Sequence, residues 1–309
     1  MRKVQFISAG ISIGQELEGV RSGPEGWRDY FRLHFPQLLG CDWSQVVRQR
    51  QIKAFHLHSN SDSSDFPFQM YDDLTQLVLK SLSRAQLPVT LGGDHSLAMA
   101  TVQASLLHHP RSKVLWVDAH GDINTPETSL SGRVHGMPLA YLLGLWAQDR
   151  RRVRLLEKNV VLFGIRDLDT GEKKILRDLK VRSYSRSEIS KKGIEFCWAE
   201  AMSYLNVGSE GLHVSFDVDA LDPRLFPQTG VPVARGLNVS ETQFLFDQIL
   251  IAPNLKAFDL VEYNPELTPK KEVKLDGRKL IGSFLTQLAC QKSHYSAFSD
   301  TNFLWPHLA

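Results

Sequence analysis

Five short apolar runs, "PVTLGGDHS", "KVLWVDAHGD", "VVLFGIRDLD", "LHVSFDVDALD" and "AFDLVEYNP", each end in a polar or acidic cluster. Around them lie segments with helical spacing: "YDDLTQLVLKSLSRA", "SLAMATVQASLLHH", "GMPLAYLLGLWAQ", "FCWAEAMSYL", "SETQFLFDQIL" and "GRKLIGSFLTQLA". Nearly continuous apolar runs suit strands buried on both faces, and their alternation with amphipathic helices predicts βαβ units. The expected fold class is therefore α/β, with a central, mostly parallel sheet covered by helices on both faces. In such sheets ligands bind beyond the carboxyl ends of the strands, where this sequence concentrates its acids and histidines. "KVQFISA" reads as a further strand, because the apolar stretch around it is too short and too interrupted for an export signal. Ser240 with Gln243 predicts a capping box, and Pro138 suits a first helical turn.

At 309 residues with 42% hydrophobic positions the chain can bury a large core, and neither a repeat nor a composition break divides it. A single domain over residues 1–309 is expected. The formal net charge of +2, spread over 36 basic and 34 acidic residues without a basic block, leaves no electrostatic footprint for nucleic acid. No apolar run approaches the roughly 20 residues that span a bilayer. A small-molecule partner fits best. Cys41, Cys197 and Cys290 are widely spaced and form no CxxC pair, so a disulfide framework is not indicated and a reducing, cytoplasmic setting is expected.

The acidic strand ends suggest a metal site. In "WVDAHGDINTP", Asp118, His120 and Asp122 occupy every second position and would face one way if the backbone stayed extended. "SFDVDALDP" repeats the device with Asp217 and Asp219, and "GGDHS" places His95 at a strand-to-helix junction. Four carboxylates at one crevice repel and are costly to desolvate, so cations are required. Two divalent ions balance them and can hold a hydroxide for attack. Oxygen and imidazole donors without thiolate suit manganese, with cobalt, nickel or iron as other candidates. Asp94 and Asp222 are read as supporting or capping groups. The two histidines of "HLHSNSDSSD", from His56, are read as part of a polar loop.

Taken together, "GVRSGPEGWR", "GGDHS", "DAHGDINTPE", "SGRVHGMPLAYLLG", "GIRDLDTGE", "SFDVDALDP" and "EYNP" resemble the arginase and agmatinase family of ureohydrolases, the arginases above all, in order along nearly the whole chain. The resemblance implies a single three-layer α/β/α domain with two Mn2+ ions that hydrolyses L-arginine to L-ornithine and urea. It also implies residue roles. Asp118 and Asp217 would bridge the ions, with His95 and Asp122 completing one and His120 and Asp219 the other. Glu262 matches the glutamate that holds the guanidinium, and His135 the proton shuttle. Asn124, Ser131 and Asp169 match contacts to the α-carboxylate and α-amino groups. A homo-oligomer, trimer or hexamer, is implied as well, with the tail 291–309 a candidate contact.

Charge agrees with a cationic substrate, since four carboxylates and a hydroxide outweigh two divalent ions by about one negative charge. Two positions depart from the family pattern. Val231, in "TGVPV", stands where arginases usually carry a threonine, and Arg133 where an asparagine is common. Arg133 is expected to contact a substrate carboxylate as a bidentate donor, the other possibility being a surface pair with Glu127. The competing functions are a related amidinohydrolase acting on agmatine, a guanidino acid or formiminoglutamate, and a metal-binding homologue with weak or lost turnover.

Overall fold

The computed structural model describes residues 3–46, 54–59, 61, 66–146, 152–267 and 276–290. In chain order the strands are β1 (Lys3–Ala9), β2 (Asp42–Gln45), β3 (Gln86–Gly92), β4 (Ser112–Val117), β5 (Val160–Ile165), β6 (Arg182–Ser185), β7 (Gly211–Asp217) and β8 (Leu255–Val261). The helices are α1 (Gly23–His34), α2 (Gln69–Ser83), α3 (Ala98–His108), α4 (Pro138–Leu142), α5 (Thr170–Leu179), α6 (Arg186–Lys192), α7 (Ile194–Asn206), α8 (Val239–Ile251) and α9 (Gly277–Cys290). The strands form one sheet in the order β2-β1-β3-β8-β7-β4-β5-β6, and every pair is parallel.

Alternation along the strands divides the core between two faces. In β4, Leu115 and Val117 join Phe216, Phe246, Phe258 and Phe284 under α1, α7, α8 and α9. Val114 and Trp116 point the other way, into a second core with Tyr71, Leu74, Val102 and Leu139 under α2, α3 and α4. This is a three-layer α/β/α fold, and it explains why β4, β5 and β7 are buried at every position. No helix among the described residues is long and apolar enough to cross a membrane.

The strand order sets the position of the site. From β3 the chain passes through α3 and enters β4 three places away, and the gap of two strands is filled later by β7 and β8. Such a topological switch opens a crevice at the carboxyl edge. Neighbouring strands lie about 4.8 Å apart, so residues that follow β3, β8, β7 and β4 come within reach of a common ligand.

The structure departs from the sequence expectations in several places. The edge strands β2 and β6 and the helices α1, α5 and α6 are additions to the sequence expectations, although Trp27, Tyr30 and Phe31 of α1 stand at helical spacing and are buried; β2 and β6 are four residues each, β2 without a buried position and β6 with Tyr184 alone buried. The predicted long helix over "GMPLAYLLGLWAQ" shortens to α4, which begins at Pro138 as expected and is followed by Gly144 in the left-handed region. The cap of helix α8 lies two residues before the expected one: Asn238 accepts from Glu241 N, and the Glu241 side chain accepts from Asn238 N. Asparagine caps at least as well as serine, and the earlier pair satisfies two donors at once.

Candidate metal centre and active site

The residues after β4 begin the site. Asp118 N donates to Phe163 O on the neighbouring strand (3.1 Å), and Asp118 Oδ1 accepts from His120 N (2.7 Å), which turns the chain. The strand therefore stops at Val117, and Asp122 sits at φ +51°. This corrects the expectation that extended alternation aims Asp118, His120 and Asp122 in one direction. A tight turn held by the side chain of Asp118 brings the three together instead.

The ligand atoms of His95, Asp118 and Asp122 all lie within 4.8 Å of one another, as do those of Asp118, His120 and Asp219. Asp118 is common to both groups. Its Oδ2 lies 2.9 Å from His95 Nδ1, and its Oδ1 lies 3.5 Å from His120 Nδ1. His95 Nδ1 also has Asp122 at 3.0 Å and Asp217 at 3.3 Å, while His120 Nδ1 has Asp219 at 3.0 Å. Trp116 stacks on the His95 ring with centroids 4.1 Å apart, and its Nε1 donates to Asp118 Oδ2 (3.0 Å). Ser215, two residues before Asp217 on β7, holds His95 Nε2 at 2.9 Å.

These residues fit a pair of divalent cations. With Nε2 of His95 bonded to Ser215, the buried Nδ1 is left without a hydrogen-bond partner although it faces three carboxylates. An imidazole lone pair aimed at carboxylate lone pairs is repulsive unless a cation lies between them. Two imidazoles and four carboxylates, with no thiolate, form a donor set for borderline-hard metals. Protonation behaviour points the same way. Burial pushes Asp122 up, reinforced by the charge of Asp118, to about 6. Asp217 is raised well above the usual carboxylate value by burial and by Asp219 and Asp118, and Asp219 is raised by burial and Asp118. Burial would lower His95 and His120, but the surrounding carboxylates raise both, and the two imidazoles hold Asp118 low against its own burial. Without metal the cluster recruits protons as its positive charge.

Above this cluster opens a cleft of about 270 Å³. Of the twelve residues singled out in the sequence, ten line it: His120, Asp122, Asn124, Ser131, Arg133, His135, Asp169, Asp217, Asp219 and Glu262. His95 and Asp118 lie beneath, at 1% and 0% exposure. Val231 is also on the wall. Glu262, one residue past β8, adopts φ +65° and aims its carboxylate inward; Oε1 accepts from His95 N (2.9 Å) and lies 3.2 Å from His135 Nδ1. Burial would raise Glu262, but His135, followed by other donors, holds it below the usual value; burial would lower His135, but Glu262 raises it. At the outer wall Asn124 Nδ2 donates to Asp169 Oδ2 (2.8 Å), and Asp169 also caps α5 in a reciprocal pair with Glu172.

Arg133 pairs with Glu16 and not with Glu127. Its Nη2 donates to Glu16 Oε2 (3.0 Å), and Glu16 Oε1 takes His56 Nε2 at 3.2 Å, so His56 belongs to this rim and not to the metal cluster. Asp94 caps the turn at His95–Leu97, accepting from Ser96, and Asp222 accepts from Arg224, in line with the capping roles expected of them. Sequence reasoning missed Gln15, Ser215 and Glu172. Ser215 had a signal, being two positions before Asp217 on a strand; the loop residue Gln15 had none.

An all-parallel sheet whose central strand ends gather two imidazoles and four carboxylates under a narrow cleft defines a class of α/β proteins built around a paired metal site. The chain matches the Arginase family over residues 2–286 and belongs to that family. It is 35% identical over 295 residues to Arginase-2, mitochondrial, of Rattus norvegicus, covering 88% of this chain and 80% of the relative. The structure of arginase from Bacillus caldovelox superposes with TM-score 0.82 at 30% identity, covering 95% of this chain and 100% of that one. Entamoeba histolytica arginase in complex with L-ornithine gives 0.81 at 26% identity, covering 93% and 99%.

Proposed function

We propose that the chain hydrolyses the guanidinium group of L-arginine to L-ornithine and urea. One observation carries this reading: two histidine-carboxylate groups that share Asp118 face Glu262 and His135 across one cleft, in a member of the arginase family. The metal-holding set is His95, Asp118, His120, Asp122, Asp217 and Asp219, loaded with two Mn2+. When bound, such a pair supplies a nucleophilic water at neutral pH.

Glu262 takes the guanidinium, since a buried carboxylate suits a planar cation with several donors. His135 carries a proton to the leaving amine, which its raised affinity for protons beside Glu262 favours. Asp122 orients the nucleophile, and Asn124, Ser131 and Asp169 receive the amino-acid end of the substrate. The ornithine complex of the Entamoeba histolytica relative supports an amino-acid substrate over agmatine. The reading also carries a single domain over residues 1–309, a cytoplasmic setting and a homo-oligomer, trimer or hexamer. Light scattering reads the oligomer directly; the tail 291–309, its expected contact, lies outside the described residues.

The test is urea release from a panel of guanidino compounds by Mn-loaded protein. L-arginine is expected to be turned over with the highest kcat/KM, and failure on L-arginine with turnover of another member would replace the substrate. Arg133 enters the same panel. The substrate carboxylate competes with Glu16 for its guanidinium, so Arg133→Asn is expected to lower the arginine-to-agmatine ratio of kcat/KM about tenfold. An unchanged ratio would leave Arg133 as a rim residue paired with Glu16. For Val231→Thr, a hydroxyl added to the cleft wall is expected to raise kcat/KM on L-arginine about fivefold, one neutral hydrogen bond's worth. A flat or falling value would mean that another group already meets the guanidinium there.

A further inference from the structure

The loop between β1 and α1 reaches the metal cleft from the far end of the sequence. Gly14 N donates to Asp94 Oδ2 (2.7 Å), and Gly14 O accepts from His135 N (3.1 Å). A Cβ at Gly14 would lie 2.7 Å from His135 N, so only glycine lets the loop run this close. The clamp delivers the next residue, Gln15, at 5% exposure, with Nε2 donating to Glu262 Oε2 at 2.7 Å across 247 positions of sequence. Gly230 faces its amide: a Cβ there would lie 3.1 Å from Gln15 Oε1.

Counting donors shows what this bond does. A carboxylate has about four lone-pair sites. Glu262 Oε1 faces His95 N and His135 Nδ1, and Oε2 is held by Gln15. One site on Oε2 is left, on the oxygen whose direction Gln15 sets. The last torsion of a glutamate side chain is broad and weakly preferred, so an Oε2 without a partner would turn freely about the anchored Oε1.

We infer that Gln15 is the positioning residue for Glu262, fixing the rotation of its carboxylate so that the open lone pair faces the guanidinium. This rests on the arginase reading of the site. Gln15 is not among the residues that line the cleft, and its side-chain donor goes to Glu262, through which it acts. A guanidinium cation therefore depends on it, and a ligand of the amino-acid end does not.

Gln15→Met tests this, because methionine keeps the length and volume of the side chain and removes the donor. Calorimetry on Mn-loaded protein reads guanidinium chloride and L-norvaline, an α-amino acid without a guanidinium, separately and without turnover. The variant is expected to weaken guanidinium about tenfold, the scale of one hydrogen bond to a charged group. L-Norvaline binding is expected to stay within about twofold, with both metal ions retained. In the same variant KM for L-arginine is expected to rise about tenfold and kcat to fall less. Gln15→His, which keeps a donor, is expected to recover part of the guanidinium affinity. Equal weakening of the two ligands would show a merely structural role and overturn the inference. So would unchanged guanidinium binding, or a parent protein that binds no guanidinium. A parent that binds guanidinium but releases no urea from L-arginine would instead sink the arginase reading, and Gln15 would still be judged by the binding experiment.

Discussion

Replacing Asp118 by alanine is expected to lower urea release by at least about 10³-fold and to leave purified protein with no more than one metal ion per chain. Asp118 is the member common to the two histidine-carboxylate groups, with one oxygen turned toward His95 and the other toward His120. Its loss removes a charge from both sides together, unlike the loss of Asp122 or Asp219. The alanine variant also leaves Trp116 Nε1 and His120 N without acceptors, at roughly 1–3 kcal/mol for each buried donor. Asp118→Asn separates the two effects, because the carboxamide keeps an acceptor oxygen while the charge is gone. Elemental analysis and thermal melts with and without Mn2+ provide the check. A ligand that binds only the folded state raises Tm by mass action, so the Mn-dependent rise should shrink in both variants. Full occupancy by two ions in Asp118→Asn would end the shared role.

The legible part of this fold was the part buried on both faces. β3, β4, β5, β7 and β8 announce themselves as apolar runs because the helical layers leave no solvent-facing row. β2 and β6 close the sheet at its edges with "DWSQ" and "RSYS", where half-exposed polar residues are tolerated and nothing distinguishes a short strand from a loop. The site divides in the same way. Acids and histidines at the ends of apolar strands were visible because charge there is expensive without a purpose. How they converge was not visible: sequence spacing suggested an extended strand, whereas the backbone turns at Asp118 through a side-chain hydrogen bond. Least visible were partners from remote segments. Gln15 and Glu16 come from one loop near the N-terminus, yet the first holds Glu262 and the second holds Arg133 at the rim. A neutral glutamine and an exposed glutamate in "SIGQELEG" carry no local mark of either role.

His135→Ala is expected to lower kcat about 10²-fold or more while KM holds or falls. The direction of KM follows from the geometry. His135 Nδ1 lies 3.2 Å from Glu262 Oε1, and the carboxylate raises the imidazole's affinity for protons against the effect of burial. In the free protein His135 thus shares with the incoming guanidinium the same carboxylate. Removing the imidazole frees a lone pair on Oε1 and takes a competing partner of Glu262 from the cleft, so substrate binding is not weakened. Proton delivery to the leaving amine is lost, because among the described residues that line the cleft the other imidazole is His120, which faces Asp118 and Asp219 in the metal-holding set. Added imidazole, small enough to enter the vacated space, is expected to restore part of kcat with a saturable dependence and no change in metal content. If KM carries the whole effect and imidazole restores nothing, His135 is a binding group for the substrate, and the proton must reach the amine by another route.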